Sequence, residues 1–430
     1  MGSTSKFSTS NFRSIKDEVV LSMLANETDD VHTEYLCHVG AESLIPVAAI
    51  YGANAAGKSN ILNAMNVAIG LIRQSDSRGI NNILRGIDSF RFDEEMREQP
   101  TRFDFIFITN GKKYQYGFSA NKRMIIEEYL YLYEGSEQIM VFERTDTDHY
   151  VFPVEEDEKR FNEYAEKNTP NKLFLATATS WNCTETKDAY MWFAESVDVY
   201  DFRDVSNEGL EIIENADQKL RDFLMKTLRE SDFNIADYDF ESVPMTLDDL
   251  KKSGVPDLIA ELMRREGMEE EGKRYKITAK HMIKTSGGSK QFDLPLQEES
   301  DGTQQMFFFA PLMKRAMESE KTIVIDELSS GLHPLLLQAL IRMFYDKDLN
   351  EANAQLIFST HDISLLNMDL FRRDQIYFTE KDNATGISTL YSLDEFLPAP
   401  VQGSDIGKSY LQGRYGAIPI VSMEGLYGKA

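Results

Sequence analysis

The segment Gly52–Ser59 reads GANAAGKS and matches the pattern G-x-x-x-x-G-K-[ST]. Glycines in such a loop let consecutive backbone N–H groups wrap a phosphate. Lys58 would supply a positive charge to the β- and γ-phosphates, and Ser59 would offer a hydroxyl to Mg²⁺. A plain glycine turn is the structural alternative, but an apolar run before the loop and a helical pattern after it favour a nucleotide-binding loop. We expect nucleotide contacts from Gly52, Asn54, Ala55, Ala56, Gly57, Lys58, Ser59 and Asn60.

A second candidate is the segment Thr322–Leu328, TIVIDEL, in which an apolar run ends in two adjacent carboxylates. In P-loop proteins the aspartate of such a strand orders the Mg²⁺ shell, and a following acid positions the attacking water. We therefore assign metal binding to Asp326, together with Ser59, and the general base to Glu327. The alternative is a buried strand capped by two solvated acids, and the P-loop upstream argues against it.

The segment Glu299–Gln305, ESDGTQQ, lies shortly before that strand. A Ser-x-Gly turn at a helix N-terminus directs amides and a hydroxyl at an anion. Ser300, Asp301 and Gly302 are therefore candidates for completing a phosphate site whose P-loop is supplied by another copy. The alternative is an ordinary helix cap formed by a serine or an aspartate.

Two histidines follow. His361, in IFSTHD, ends a further apolar run, where it can hydrogen-bond the γ-phosphate or the attacking water. We assign it to catalysis together with Lys58 and Glu327, with a satisfied structural histidine as the alternative. His333, in the intervening SSGLHP, either contacts a partner subunit or caps the next helix.

These residues need elements that bring them to one edge of a sheet. The apolar run 43–51 predicts a strand that ends at the P-loop, and residues 58–74 have apolar side chains at helical spacing. Two further apolar runs predict buried parallel strands that end at Asp326 and near His361. Helices are predicted over 300–320 and 334–346, and a closing strand pair over 374–382 and 387–393.

Other segments predict a second sheet and a helical region. Residues 102–109 and 112–120 alternate with period two around Asn110-Gly111, a strong hairpin signal, and 125–145 continue the pattern. Residues 155–275 are rich in charge and mostly helical in pattern. We predict one helix over 208–231, an exposed turn at 264–274 and a hairpin turn or linker at 284–291.

Composition limits the function classes. The chain has 430 residues and a net charge of −25, which argues against generic nucleic-acid binding because phosphate neutralisation supplies most non-specific affinity. Cys37 and Cys183 fit no metal or disulfide spacing. The polar start and the absence of an apolar run of roughly 20 residues predict a cytoplasmic protein without a secretory signal.

The motif order resembles that of ABC-type ATPases, with Walker A, a long insertion, the signature, Walker B, the D-loop and the switch histidine in turn. The segment Asn11–Ile15, NFRSI, resembles the first strand of SMC, RecF and OLD family ATPases. In some of those relatives an arginine matching Arg13 reaches the nucleotide. Four segments resemble the RloA/AbiL group of bacterial anti-phage, abortive-infection ATPases and the ATPase of the PARIS system. They are the sequence around Asn54, the SDGT signature, DELSSGLHP and the tail SYLQGRYGAIP (409–419). The resemblance covers 7–150 and 290–420.

The resemblance implies an α/β fold: an ABC-type P-loop ATPase head with a mixed sheet, an antiparallel β subdomain and a helical insertion. We expect an N-terminal ATPase lobe at 1–150, a mainly helical recognition or assembly arm at 151–285 and a C-terminal ATPase lobe at 286–430. ATP and Mg²⁺ are the implied cofactors.

A homodimer or higher homo-oligomer is implied, with two ATP molecules between one subunit's Walker A and the other's signature, so that Ser300 and Gly302 act in trans. A separate effector encoded nearby, a nuclease in many relatives, is also implied. OLD proteins carry their own TOPRIM nuclease, and the roughly 70 residues after His361 leave no room for one. We expect a slow ATPase that controls this effector, with a phage-derived trigger and no membrane.

Two features depart from the ABC pattern. Gln74 and Gln99 are the available glutamines between Walker A and the hairpin, and neither stands in a Q-loop context. Asp301 occupies a position where many ABC proteins have glycine. Its carboxylate near the γ-phosphate would weaken closure of the dimer around ATP. The alternative functions are a RecF- or SMC-like repair ATPase that binds DNA across the closed dimer and a scaffold with little turnover. A transporter subunit is the least favoured alternative, because the long insertion does not suit one.

Overall fold

The computed structural model describes residues 2–153, 155–231, 233–244, 273–329, 331–401 and 403–419. Internal contacts divide the chain into two compact units. The first contains 1–202, 316–330 and 337–430, and the second contains 203–315 and 331–336. The three-part division predicted from the sequence, with boundaries after residues 150 and 285, remains a prediction.

The strands follow one another along the chain as β1 (Gly2–Ser10), β2 (Val19–Ser22), β3 (Cys37–Val39), β4 (Glu42–Leu44), β5 (Val47–Tyr51), β6 (Thr101–Thr109), β7 (Lys112–Ala120), β8 (Ile125–Glu134), β9 (Glu137–Thr145), β10 (His149–Val151), β11 (Val197–Tyr200), β12 (Ile235–Pro244), β13 (Lys273–Thr285), β14 (Gly288–Pro295), β15 (Thr322–Ile325), β16 (Gln355–Ser359), β17 (Ile376–Lys381) and β18 (Ser388–Ser392). The α-helices are α1 (Lys58–Arg73), α2 (Glu94–Glu98), α3 (Glu155–Ala165), α4 (Phe174–Ser180), α5 (Thr184–Met191), α6 (Phe202–Glu214), α7 (Gln218–Glu230), α8 (Asp301–Glu318), α9 (Pro334–Tyr345) and α10 (Ile406–Leu411).

A six-stranded sheet in the first unit has the order β11-β15-β16-β5-β17-β18. Its first five strands are parallel, and β18 closes the edge antiparallel to β17. β5, β15 and β16 are buried on both faces, as the apolar runs predict. The predicted strand over 43–51 is wrong in one respect: it is divided at Pro46, which has no N–H to donate, and β5 begins at Val47.

A seven-stranded antiparallel sheet in the same unit has the order β10-β9-β8-β7-β6-β1-β2. The turn at Asn110-Gly111 joins β6 to β7, and both residues have positive φ, as predicted for this hairpin. Its apolar side chains form one core cluster with those of α1 and the six-stranded sheet. The predicted fold class, α/β with a mixed sheet and an antiparallel β subdomain, is confirmed.

The polar N-terminal segment forms β1, an inner strand between β6 and β2. Its serines and threonines are buried, and several of them find polar partners, although the Ser3 hydroxyl does not. The Thr4 amide N–H donates to Gln355 Oε1 at 2.7 Å, and the Gln355 amide donates back to the Thr4 carbonyl at 3.0 Å. The Thr322 hydroxyl also donates to Gln355 Oε1. The Gln355 side chain therefore joins the two sheets.

NFRSI is not part of the first strand, which corrects the expectation from the resemblance. β1 ends at Ser10, and Phe12 and Ile15 exchange backbone hydrogen bonds of 2.8 Å in a tight turn. Asn11 and Arg13 have φ of 52° and 51°, the left-handed conformation that ends a strand.

The second unit contains a three-stranded antiparallel sheet of order β12-β13-β14 beside its helices. The turn predicted near residue 287 is the β13–β14 hairpin, with Gly288 at φ 110°. The single helix predicted over 208–231 is wrong. It is two helices, because Asp217 accepts a hydrogen bond from the Leu220 amide and caps a new start.

Among the described residues, no helix is both long and apolar enough to cross a bilayer. The exposed turn predicted at 264–274 lies outside the described residues except for its last two positions, which begin β13.

Candidate functional site

The P-loop connects β5 to α1, in the context that the sequence predicts. Gly57 has φ 120°, and a Cβ added there would lie 2.5 Å from Ser388 Oγ, so only glycine fits. A Cβ on Gly52 would lie 2.4 Å from the Thr379 carbonyl oxygen. Ala55 takes the left-handed conformation, φ 64°, without being glycine. The loop is thus fixed in shape by its neighbours, while Asn54, Ala55 and Ser59 remain exposed.

The side chain of Lys58 turns back onto its own loop. Its ammonium donates to the Gly52 carbonyl at 2.8 Å and to the Ala53 carbonyl at 3.1 Å, and it lies 3.2 Å from His361 Nδ1. Burial lowers the pKa of Lys58 to about 8, against the opposing effect of the Glu327 and Asp326 carboxylates. A phosphate binding here would therefore meet a lysine that the loop carbonyls already hold and whose pKa is lowered.

His361 stands between the P-loop lysine and the acidic pair. His361 Nδ1 lies 3.2 Å from the Lys58 ammonium, which can donate to it, and Nε2 lies 3.6 Å from Glu327 Oε1. The parallel strand order explains the arrangement, since β16, which leads to His361, lies between β15 and β5. Lys58, His361 and Glu327 thus form a continuous polar chain at the carboxyl edge of the sheet.

The two acidic residues that follow β15 are held by Ser359, which sequence reasoning missed. The Ser359 hydroxyl donates to Asp326 Oδ1 at 2.5 Å and accepts the Glu327 amide N–H at 2.8 Å. Glu327 has φ 56°, unusual for a residue with a side chain, and its carboxylate is exposed. The signal that could have found Ser359 is a hydroxyl that directly follows the apolar residues 356–358 at the end of a buried strand.

The turn that contains Arg13 packs beside the start of α1. Asn60 Nδ2 donates to Ser14 Oγ at 2.7 Å, and Arg13 Nη1 lies 3.5 Å from Asn60 Oδ1. The Arg13 amide donates to the Asp88 carbonyl, which fixes the turn. Arg13 and Asn60 are therefore brought together at the entrance of the P-loop helix.

The signature segment lies in the second unit, at the start of α8. Ser300 Oγ accepts the Thr303 amide at 3.3 Å and contacts the Thr303 hydroxyl at 2.8 Å, so Ser300 caps the helix. Asp301 is exposed in the first turn, and a Cβ on Gly302 would lie 3.1 Å from the Gly331 carbonyl oxygen. His333 Nδ1 accepts the Leu335 amide at 3.2 Å, as a cap of α9.

The comparisons with known proteins bear on this site. The family model "AAA domain, putative AbiEii toxin, Type IV TA system" matches residues 47–367, a span that includes the P-loop, the signature, the Asp326-Glu327 pair and His361. The chain belongs to this AAA domain family. No curated protein matches its sequence. Among solved structures, the SMC head domain from Thermotoga maritima is similar at 13% identity and a TM-score of 0.38, covering 90% of this chain and 98% of that one.

Family membership supports an ATPase of the AAA/ABC type. In this AAA domain the structure brings together Lys58, His361, Glu327 and Asp326, and it places Arg13 against Asn60. The structure places Ser300, Asp301 and Gly302 in the second unit. The roles of all these residues remain predictions.

The two candidate Q-loop glutamines lie at helix ends in the AAA domain. Gln74 is the exposed C-cap of α1. Gln99 ends α2, and its carbonyl accepts the Asn11 side-chain amide at 2.8 Å.

Proposed function

We propose that this protein is an ATP-hydrolysing, ABC-type ATPase subunit of a bacterial anti-phage, abortive-infection system. It dimerises around ATP in the cytoplasm and controls a separate effector, a nuclease. The observation that carries the ATPase assignment is the polar chain from Lys58 through His361 to Glu327 beside the P-loop. The family description, with its AbiEii toxin and type IV toxin–antitoxin system, supports the defence role.

The residues present suit Mg²⁺. Ser59 and Asp326 offer a hydroxyl and a carboxylate, the oxygen ligands that Mg²⁺ prefers. An ion in a nucleotide site is commonly held by one or two such side chains and the substrate phosphates. When bound, Mg²⁺ neutralises charge on the β- and γ-phosphates.

Amides and side chains of the protein would bind the phosphates and position the attacking water. Amides of the P-loop wrap the phosphates, and the Lys58 ammonium moves from the Gly52 carbonyl to them. Glu327 orients the attacking water, and His361 Nε2, 3.6 Å from Glu327 Oε1, donates to the γ-phosphate or to that water. Ser300 and Gly302 of a second copy would close the site.

The test is the variant Glu327→Gln. Its turnover should fall by at least about 100-fold, since the amide cannot act as a base, while ATP still binds and traps a dimer seen by light scattering. Unchanged turnover in the folded variant would remove Glu327 from this role.

The defence role is tested in cells. Expression with the neighbouring open reading frames should protect against phage and yield a co-purifying partner, and Lys58→Ala should abolish protection. No protection from any phage tested and no partner would contradict the proposal. Tight, salt-sensitive duplex DNA binding by the purified protein would favour the repair ATPase instead.

A further inference from the structure

A histidine of the second unit contacts the residue that directly precedes the signature serine. His281 lies on β13, and its Nε2 is 2.7 Å from Glu299 Oε1. On the other side of the ring, Nδ1 is 3.1 Å from the carbonyl oxygen of Asn234, in the turn before β12. The side chains of His281 and Glu299 are only 15% and 10% exposed, so water does not replace these contacts freely. Ser300, which is assigned to the phosphate site, follows Glu299 in the chain.

The two contacts of the ring require an additional proton. A carbonyl oxygen and a carboxylate both accept hydrogen bonds, whereas a neutral imidazole has one N–H donor and one acceptor nitrogen. A neutral His281 beside an ionised Glu299 can therefore keep only one of the two contacts, because the other would set a nitrogen lone pair against an oxygen. A proton shared between Nε2 and the carboxylate satisfies both contacts at once. The geometry is thus that of a pair which holds this proton.

The other charged groups around the pair do not take the place of Glu299. They are Lys280 on β13, Asp237 and Asp239 on β12, Asp293 on β14, Arg229 and Glu230 at the end of α7, and Glu298 and Asp301 beside Glu299. All of them except Lys280 are exposed. The Lys280 ammonium is 2.6 Å from Asp239 and 3.9 Å from Asp237, so its charge is balanced by β12.

The contact with His281 also bears on the shape of the signature turn. The Glu299 amide donates to the Leu296 carbonyl at 3.1 Å, and the Gln304 side-chain amide donates to the Glu299 carbonyl at 2.9 Å. The Gln304 backbone amide donates to the Ser300 carbonyl at 3.0 Å in the first turn of α8. These bonds stay within residues 296–304, whereas the carboxylate of Glu299 reaches β13. The His281 contact therefore ties the backbone before Ser300 to the three-stranded sheet.

We propose that His281 is a positioning residue for ATP hydrolysis: the proton that it shares with Glu299 keeps Ser300 in the orientation that completes the nucleotide site of a second copy. The inference rests on the proposed function, in which Ser300 acts on bound ATP. The pair is intact while it holds the proton, and raising the pH removes the proton and one of the two contacts. Turnover therefore falls with rising pH through an element that does not touch the P-loop of its own chain.

The variant Glu299→Gln separates the proton from the hydrogen bond. A glutamine amide can donate to Nε2 of a neutral ring or accept from a protonated one, so both contacts of His281 persist at every pH. The value of kcat at saturating ATP is measured on the full chain from about pH 6 to about pH 9, across the upper part of the range in which histidine changes charge. The ratio of the variant's kcat to that of the wild type should be about one at the acidic end and rise about fivefold at the alkaline end. Titration of Lys58 and His361 cancels from this ratio, because both proteins contain them.

His281→Ala removes the contact itself. It should lower kcat about tenfold near neutral pH and change the dissociation constant of ATP less than about threefold, because the P-loop lies in the first unit. His149→Ala, at an exposed histidine of β10, is the matched control and should change neither value. Thermal melting checks that the variants are folded, and if His281→Ala does not fold, the kcat ratio for Glu299→Gln decides alone.

The outcomes separate this inference from the proposed function. If the wild type hydrolyses ATP and Ser300→Arg does not, a constant kcat ratio across the pH range overturns the inference alone. A folded His281→Ala variant with the wild-type kcat and pH profile does the same. If Ser300→Arg keeps its turnover, the signature has no role and the inference fails with that assignment. A wild type without turnover contradicts the proposed function itself.

Discussion

The hydroxyl of Ser359 donates to Asp326 Oδ1 at 2.5 Å and accepts the amide of Glu327 at 2.8 Å. One buried side chain thus orients the carboxylate assigned to the metal and the backbone of the residue assigned as base. Because Ser359 ends β16, the strand that leads to His361, it also couples that strand to the end of β15.

Ser359→Ala should lower kcat about tenfold and change ATP affinity less than threefold, because the hydroxyl positions catalytic groups without touching the P-loop. It leaves the Glu327 amide without its acceptor, at a cost of about 1–3 kcal/mol in the free energy of unfolding. Steady-state kinetics and urea unfolding measure both. Ser359→Thr keeps the hydroxyl and should recover most of kcat, whereas a folded Ser359→Ala variant with normal kcat would exclude the positioning role.

ATP affinity should fall as pH rises above about 8, because burial lowers the pKa of Lys58 to about 8 and phosphate prefers the ammonium form. Binding near pH 9 should therefore take up a proton, which calorimetry detects in buffers of different ionisation enthalpy. The folding stability of the nucleotide-free protein should change in the opposite direction. The pKa of Lys58 in the folded protein is below its value in the unfolded chain, so the free energy of unfolding increases as pH rises from about 8 towards 10.5. Lys58→Arg should remove both effects, and an equally steep pH profile in that variant would assign them to another group.

Mixing two inactive variants tests whether the signature acts in trans. Lys58→Ala and Ser300→Arg should each lack turnover, but a mixed dimer regains one site, built from the intact Lys58 of one copy and the intact Ser300 of the other. An equal mixture should recover up to about one quarter of wild-type activity from random pairing. Ser289→Arg, at another exposed serine of the second unit, should remain active alone. No recovery on mixing would mean that both residues serve the same chain.

Gln355→Leu should lower the free energy of unfolding by about 1–3 kcal/mol, because the Thr4 amide and the Thr322 hydroxyl lose a buried acceptor. Chemical denaturation with two probes would measure it. Gln412→Leu, at an exposed C-cap, is the matched control and should cost less than about 0.5 kcal/mol. Equal losses in the two variants would mean that the link between the sheets contributes nothing.

Sequence reasoning located the P-loop, the strand that ends at Asp326 and the strand before His361, because each combines an apolar run with polar residues at its end. It missed β1, whose buried serines and threonines look like a solvated terminus until Gln355 and Thr322 provide their partners. Ser359 was missed for the same reason, since its value depends on residues that are distant in sequence. The break between α6 and α7 depends on one capping aspartate, which is a weaker signal than the apolar spacing of the helices.

Glu327 has φ 56°, a left-handed conformation that costs a residue with a side chain about 1–2 kcal/mol relative to glycine. Glycine or asparagine would suit that backbone better, so folding stability alone does not favour the acid at this position. A sequence optimised only for thermal stability would tend to lose the carboxylate. With Glu327 as the base that we propose, stability and turnover make opposite demands on this one residue, and interactions elsewhere in the fold offset the backbone cost.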